Sequence, residues 1–356
     1  MRAPIRMKNR IEYFDALRGV MMLLVVYSHV LYHGLGAGMP TPPQSWLNDI
    51  FITFRMPLFF FISGFFLYSP DYTASLLRRR SANRLLKQLY PTVVLAVVFC
   101  LVCKHRSMQR LLFHEQKYGY WFTLTAVEMF FLMAPMLAAM SWRRLRRMGR
   151  SRLIIAYAVV IETLAVVAFN MAPAKINGLI GLRYLYLYFP YVAVGVLFRA
   201  NYERILPYIM HPLTAIGCLA IYIAAYFAMN FPDNRFILGF AAIIVIHYVV
   251  CRLFEVRRIS GSAIVKGLKY VGTLTLEIYL MHYFLIHLIG LAHQTGRLSW
   301  LDGFVGGAVE FPLIMVIVIG VVLVCIGAVR ILKALRAYRL LFPRTWRIVR
   351  APSAVG

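Results

Sequence analysis

Two residues able to do chemistry stand eleven positions apart in an otherwise apolar run: Arg18 and His29 in YFDALRGVMMLLVVYSHV. If that run is helical, eleven steps of about 100° return both side chains to nearly one face. At about 1.5 Å per residue the imidazole then lies ~16 Å beyond the guanidinium. A cation at a mouth and a neutral imidazole deeper on the same wall of one passage suit an elongated donor that keeps its anionic end outside and sends its reactive end inward. A thioester of coenzyme A has that shape. Imidazole is also the side chain suited to take a proton from an attacking hydroxyl near neutrality. Asp15, one turn before Arg18, can orient it. The same residues have a structural use: Arg18 can snorkel to headgroups and His29 can bond a neighbouring helix.

These residues must be held by helices that cross a bilayer. Of the 356 residues 61% are hydrophobic and 15% charged, against about 45–50% and about 25% in ordinary soluble domains. A hydrocarbon core about 30 Å thick needs roughly 17–25 apolar residues per span. Ten runs are candidates by that measure, the sixth a little short: 14–33, 50–68, 85–103, 118–140, 153–170, 184–198, 212–229, 236–254, 270–291 and 308–332. The fold class is therefore all-α, a polytopic membrane bundle of about ten transmembrane helices.

The basic residues fix its orientation. Most of the 39 Lys and Arg fall in alternate segments, 2–10, 78–87, 143–152, 199–204, 252–269 and 330–350. The positive-inside rule puts those segments, and both termini, in the cytoplasm. The exception is the loop Lys104 to Lys117, which carries Lys104, Arg106, Arg110 and Lys117 on the outer side. Pro91 also interrupts the third run and shortens its clean apolar part. Dropping that run, however, would invert every later loop. The expectation is one membrane domain over 1–356 with basic tails at 1–12 and 334–356, no appended soluble domain and no cleavable signal peptide, in a cell's inner (plasma) membrane.

The net charge of +26 is thus mainly a topology signal and not a nucleic-acid footprint, because the cations sit in short loops and not on one face of a soluble fold. Attraction to anionic lipid follows from it. The five cysteines all lie in apolar stretches, and the Cys100/Cys103 pair has neither a second pair nor a βαβ setting, so a structural role is expected. No metal site is foreseen.

Ionisable groups inside spans mark cavities or substrate paths. Glu128 lies seven residues after Trp121, on nearly the same face, where it could orient His29, touch sugar hydroxyls or lock two helices. Glu277 and His282 share the ninth run, as substrate-lining or packing residues. His247, Glu162, His287 and Glu310 read as structural. The run YLYLYFPY at 184–191 could give aromatic platforms for sugars, although tyrosines near span ends more often form the interfacial belt.

The pieces together resemble acyltransferase family 3, whose membrane proteins open with an Asp, a Leu-Arg-Gly stretch and an Arg-x10-His motif, here Arg18 and His29. The second run, FRMPLFFFISGFFLY, is similar to the family's Phe-Ile-Ser-Gly segment, Phe61 to Gly64. A basic stretch leading to a proline (RRRSANRLLKQLYP), a Trp-Phe-x-Leu at Trp121 to Leu124 and TLEIYLMHYF at Thr275 to Phe284 follow in the family's order. The resemblance implies an O-acyltransferase that moves an acyl group, most often acetyl, from cytosolic acyl-CoA to a carbohydrate or glycolipid hydroxyl. Acyl-CoA is a co-substrate, and no permanently bound cofactor is expected. By the same resemblance His29 is the essential histidine and Arg18 its partner, while Arg80, Arg84 and Lys87 would face the CoA phosphates. The family's paired arginines before the proline are here Lys87 and Gln88. Transfer could be direct, with His29 as general base, or pass through an acyl-protein. A transporter or flippase of glycans or lipids is the competing class, but Arg18 and His29 have no counterpart in the second half of the chain.

Overall fold

The computed structural model describes residues 7–37, 39, 43–70, 72–104, 108–140, 149–229, 234–256 and 261–343. Arg106, the arginines at 143–147, Arg257, Arg258 and much of both basic tails lie outside the described residues. Sixteen α-helices and no strand are present among them. They are α1 (Met7–His29), α2 (Trp46–Leu67), α3 (Ala74–Arg84), α4 (Tyr90–Phe99), α5 (Met108–Phe113), α6 (Trp121–Ala139), α7 (Arg150–Met171) and α8 (Ala174–Ile180). The rest are α9 (Leu182–Ala200), α10 (Tyr202–Ile209), α11 (Pro212–Ala228), α12 (Arg235–Val256), α13 (Ala263–Thr273), α14 (Thr275–Gln294), α15 (Glu310–Ala334) and α16 (Tyr338–Leu341). Eight helices are long and apolar enough to cross a membrane, or ten if the bent pairs α8/α9 (43°) and α10/α11 (73°) each count as one span.

Two runs depart from expectation. The third is not shortened by its proline: α3 and α4 join through the widened turn Leu85–Leu89 into one 30-residue helix, Ala74–Cys103. Pro91 has no N–H for the Lys87 carbonyl and its ring crowds that oxygen, and a π-type turn makes the room. The ninth run is broken near Leu274 into α13 and α14. There the Thr273 and Thr275 hydroxyls donate to the carbonyls of Tyr270 and Gly272.

Glycines set the closest helix crossings. A Cβ on Gly64 would lie 2.1 Å from the Val192 oxygen and one on Gly195 2.1 Å from that of Phe61, so α2 and α9 meet backbone to backbone. A Cβ on Gly19 would stand 2.1 Å from the Leu268 oxygen and one on Gly272 1.8 Å from that of Asp15, which joins α13 to α1 in the same way. Small residues of this kind are how helices associate where the surrounding lipid is as apolar as their side chains. A third device is a buried hydrogen-bonded carboxyl group. Glu310, buried at the start of α15, accepts hydrogen bonds from Tyr27, Ser45 and the Gly306 N–H and so ties α1, α2 and α15 together. That fits the structural role expected of it.

Candidate active site

Near the end of the bundle where α1 stops, a cavity of about 620 Å³ opens. His29 is the last residue of α1, and the chain continues through a widened turn, Val30–Leu35. That turn packs on α14, with Gly34 against Ile289. His29 lines the cavity together with Tyr32, His33, Trp121, Tyr184, Tyr283 and His287.

Behind His29 stands His282, fully buried. His29 Nδ1 lies 2.7 Å from His282 Nε2, with the rings 6° from coplanar, and His282 Nδ1 lies 3.1 Å from the Ile278 carbonyl. A carbonyl only accepts, so His282 must carry its proton on Nδ1. Its Nε2 is then an acceptor and takes the Nδ1–H of His29. His29 Nε2 is left with a free lone pair, the state a general base requires. Tyr283 closes the other flank, its ring centre 5.0 Å from that of His29.

The wall opposite is a strained turn. Lys117 and Tyr118 have φ of 44° and 53° and Gly119 has 99°, a left-handed run costly for the two side-chain-bearing residues. It is held by its partners. The Gly119 carbonyl accepts from Tyr279 and, at 2.9 Å, from Tyr283. Lys117 turns inward and donates to the carbonyls of Leu112, at 2.7 Å, and Gly178. Burial pushes this ammonium below the usual lysine range, with Glu128 acting against the shift. The anomalous basic loop is thus partly explained: Lys117 is an internal clamp and Arg110 lines the cavity.

The third wall is aromatic. Trp121 stacks on Tyr184 at 3.9 Å and 18°, and Tyr188 continues the stack onto Phe60 at 4.8 Å and 17°. Tyr184 is therefore a cavity residue, not a lipid-facing belt residue as its place near a span end suggested. Proline at 190 does not break α9, which carries these rings.

A second cavity, about 330 Å³, lies at the opposite end of the same helices and is lined by Arg80, Asn83, Arg84, Lys87 and Gln88 with Phe66, Phe130 and Leu276. Arg80 donates to the Leu67 carbonyl and stands over the Tyr72 ring at 5.1 Å. Arg84 donates to Gln88 and stands over Phe130 at 5.4 Å. Gln88 in turn donates to the Thr123 carbonyl at 3.1 Å. Arg18 pairs with Asp15 at 3.4 Å and covers the outer face of the same region, 4.7 Å over Phe66.

The two cavities share no lining residue. They are separated by ~10 Å along α14, from Leu276 to Tyr283. Phe122 fills the interval, its ring centre 5.0 Å from Phe60 and 5.3 Å from Tyr279. His29 thus lines one chamber while Arg18, over the Phe66 ring, lines neither, so the two side chains do not share a cavity. That corrects the expectation of one continuous passage.

Of the other expected site residues, Trp121 lines the His29 cavity and His282 holds His29 from behind. Glu128 and Glu277 line neither cavity. Glu128 lies toward Lys117 and Gly181, with Oε2 making no hydrogen bond. Glu277 accepts from Tyr338 on α16 at 2.6 Å. His287, read as structural, lines the cavity, and so does His33, whose place four residues after His29 already put it on the same face. Cys103 lines it as well, while His247 is buried away from it and lies 3.4 Å from the Tyr13 hydroxyl.

The structure is thus a membrane-spanning helical bundle with His29 on an aromatic-lined cavity near one end. A family model described as an acyltransferase domain matches residues 11–330, and the chain belongs to that family, acyltransferase family 3. It is a multi-pass membrane acyltransferase. No curated protein and no solved structure matches it.

Proposed function

We propose that the protein takes an acyl group, acetyl first among candidates, from cytosolic acyl-CoA and places it on a hydroxyl of an exported or surface carbohydrate, in the inner membrane of a cell. The observation that carries this reading is the ordered pair His29–His282, which leaves one basic nitrogen facing a cavity walled by stacked aromatic rings. Aromatic faces suit the C–H face of a sugar, and the free nitrogen suits removal of a hydroxyl proton. Cations clustered about the second cavity suit the phosphates of CoA, since guanidinium groups bind phosphate with paired donors.

In this reading the nucleotide end rests against Arg80, Arg84 and Lys87, with Arg18 beside it. The acyl-bearing arm passes the Phe122 septum toward His29, and the rings must swing to admit it. The acceptor enters the other cavity and lies against Trp121 and Tyr184. Direct attack needs both substrates at His29 at once, and holding them there supplies much of the rate.

The test is transfer by the purified protein. Acetyl-CoA should release CoA only when a sugar acceptor is present, with an acetylated product seen by mass spectrometry, and His29→Ala should abolish both. Full transfer by that variant would end the reading. Movement of glycan across vesicles without any covalent product would favour a transporter, for which two cavities at opposite ends of the same helices would also serve.

A further inference from the structure

Four cations break the charge pattern in the loop Lys104 to Lys117, and one of them, Lys117, is used up as an internal clamp. Arg110 has a different setting. It lies in α5, is exposed, and lines the His29 cavity. Its guanidinium stands 5.9 Å over the ring of Tyr118, another lining residue. Among the described residues no carboxylate pairs with it. Glu115, five positions on in the same loop, is bound instead by Arg183 at 3.1 Å. The rest of the lining has the same electrostatic character. Three imidazoles, those of His29, His33 and His287, face the cavity, and among the described residues no carboxylate does. A neutral imidazole still offers one N–H donor, whereas a carboxylate would repel an anion. The stacked rings of Trp121 and Tyr184 line this same space. Its volume of about 620 Å³ is that of a small-molecule site, which typically spans about 300–1,000 Å³. A guanidinium, a flat aromatic platform and a base thus open onto one cavity without a negative charge.

We propose that the acceptor is an anionic sugar, one carrying a carboxylate or phosphate besides the hydroxyl that is acylated, and that Arg110 reads that charge. The inference rests on the acyl-CoA reading above and names the acceptor class of the same cavity. The sugar ring lies on Trp121 and presents a hydroxyl to His29 Nε2. Its anionic substituent is held by Arg110 through paired N–H···O bonds. Those bonds add affinity and also fix which hydroxyl meets the base. Arg110 is therefore a specificity-determining residue and takes no part in bond making. A neutral sugar keeps the platform and loses the handle. The guanidinium fork matches carboxylate and phosphate alike, and the experiment separates the two.

The experiment compares wild type, His29→Ala, Arg110→Gln and Arg110→Lys as full chains in nanodiscs of zwitterionic lipid. Acetyl-CoA is the donor, and the unreactive thioether acetonyl-CoA reports donor binding. The acceptors are methyl glycosides of glucose, galactose and mannose, each as the neutral sugar, its uronate and its 6-phosphate. The quantity read is the ratio of kcat/KM for anionic over neutral acceptors. Wild type is expected to favour an anionic form by about 10- to 10²-fold, the worth of hydrogen bonds to a charged group. Whichever anionic form leads identifies carboxylate or phosphate. In Arg110→Gln the ratio should fall to about one, with acetonyl-CoA affinity within about twofold of wild type. Arg110→Lys keeps the charge without the fork and should retain a preference of about three- to tenfold. A structural role for Arg110 would lower transfer to both kinds of sugar and leave the ratio as it was. A wild-type ratio near one, or a ratio that survives in Arg110→Gln, beside an inactive His29→Ala, would overturn the inference and leave acyl transfer standing. No transfer by wild type to any acceptor would remove the underlying reading, and this inference with it.

Discussion

The two cavities are built from opposite materials. The one at His29 is backed by rings whose polar atoms are committed to backbone: His282 to Ile278, Tyr279 and Tyr283 to Gly119, Tyr120 to Leu280. The one at Arg84 is made of long cations drawn from a single stretch of helix, α3 and its widened turn. Rigid geometry is what proton transfer needs, whereas a phosphate group is held by charge that can adjust. The difference teaches that losses at the first cavity should appear in kcat, and losses at the second in the Michaelis constant for the donor.

The largest effect expected is from His29→Ala, about 10³-fold or more in kcat, with acetonyl-CoA binding unchanged by isothermal titration. His282→Ala should follow, at about 10- to 10²-fold in kcat, because an imidazole that has lost its orienting partner keeps its chemistry but not its tautomer. If that variant instead raised the donor constant alone, the contrast between the cavities would be wrong. Arg84→Ala should raise the acetyl-CoA Michaelis constant about 10- to 30-fold at constant kcat, the cost of one charged hydrogen-bonding partner. The penalty should shrink in high salt, read from the same kinetics at two ionic strengths. Trp121→Ala should raise the acceptor constant about five- to tenfold and leave donor binding alone. Glu128→Gln should change turnover by less than about twofold, since the carboxylate lies toward Lys117 and away from His29. A large fall in kcat there would place it in the reaction after all.

Much of this was legible in the sequence. The apolar runs showed the helical membrane bundle, but the eleven-residue spacing that puts Arg18 and His29 on one helix did not reveal that they share no cavity. His282 could be picked as a site residue, but spacing within one helix says nothing about which helix faces which. Its bond to His29 joins residues 253 positions apart. The break near Leu274 was hidden for a related reason: it depends on Gly272 meeting the backbone of α1, a contact no local pattern reports. The aromatic septum also escaped notice, since phenylalanines that plug a passage and phenylalanines that fill a core are spelled alike.

The glycine crossings carry one more implication. With no side chain between them, α2 and α9 can neither slide nor tilt independently, and the same holds for α1 with α13. The bundle thus contains two tightly joined helix pairs, α2 with α9, bearing Phe60 and Tyr184, and α1 with α13, bearing His29. Any breathing that admits a donor must then come from the helices between the two pairs, α6 with Phe122 and α14 with Tyr279, and not from within either pair.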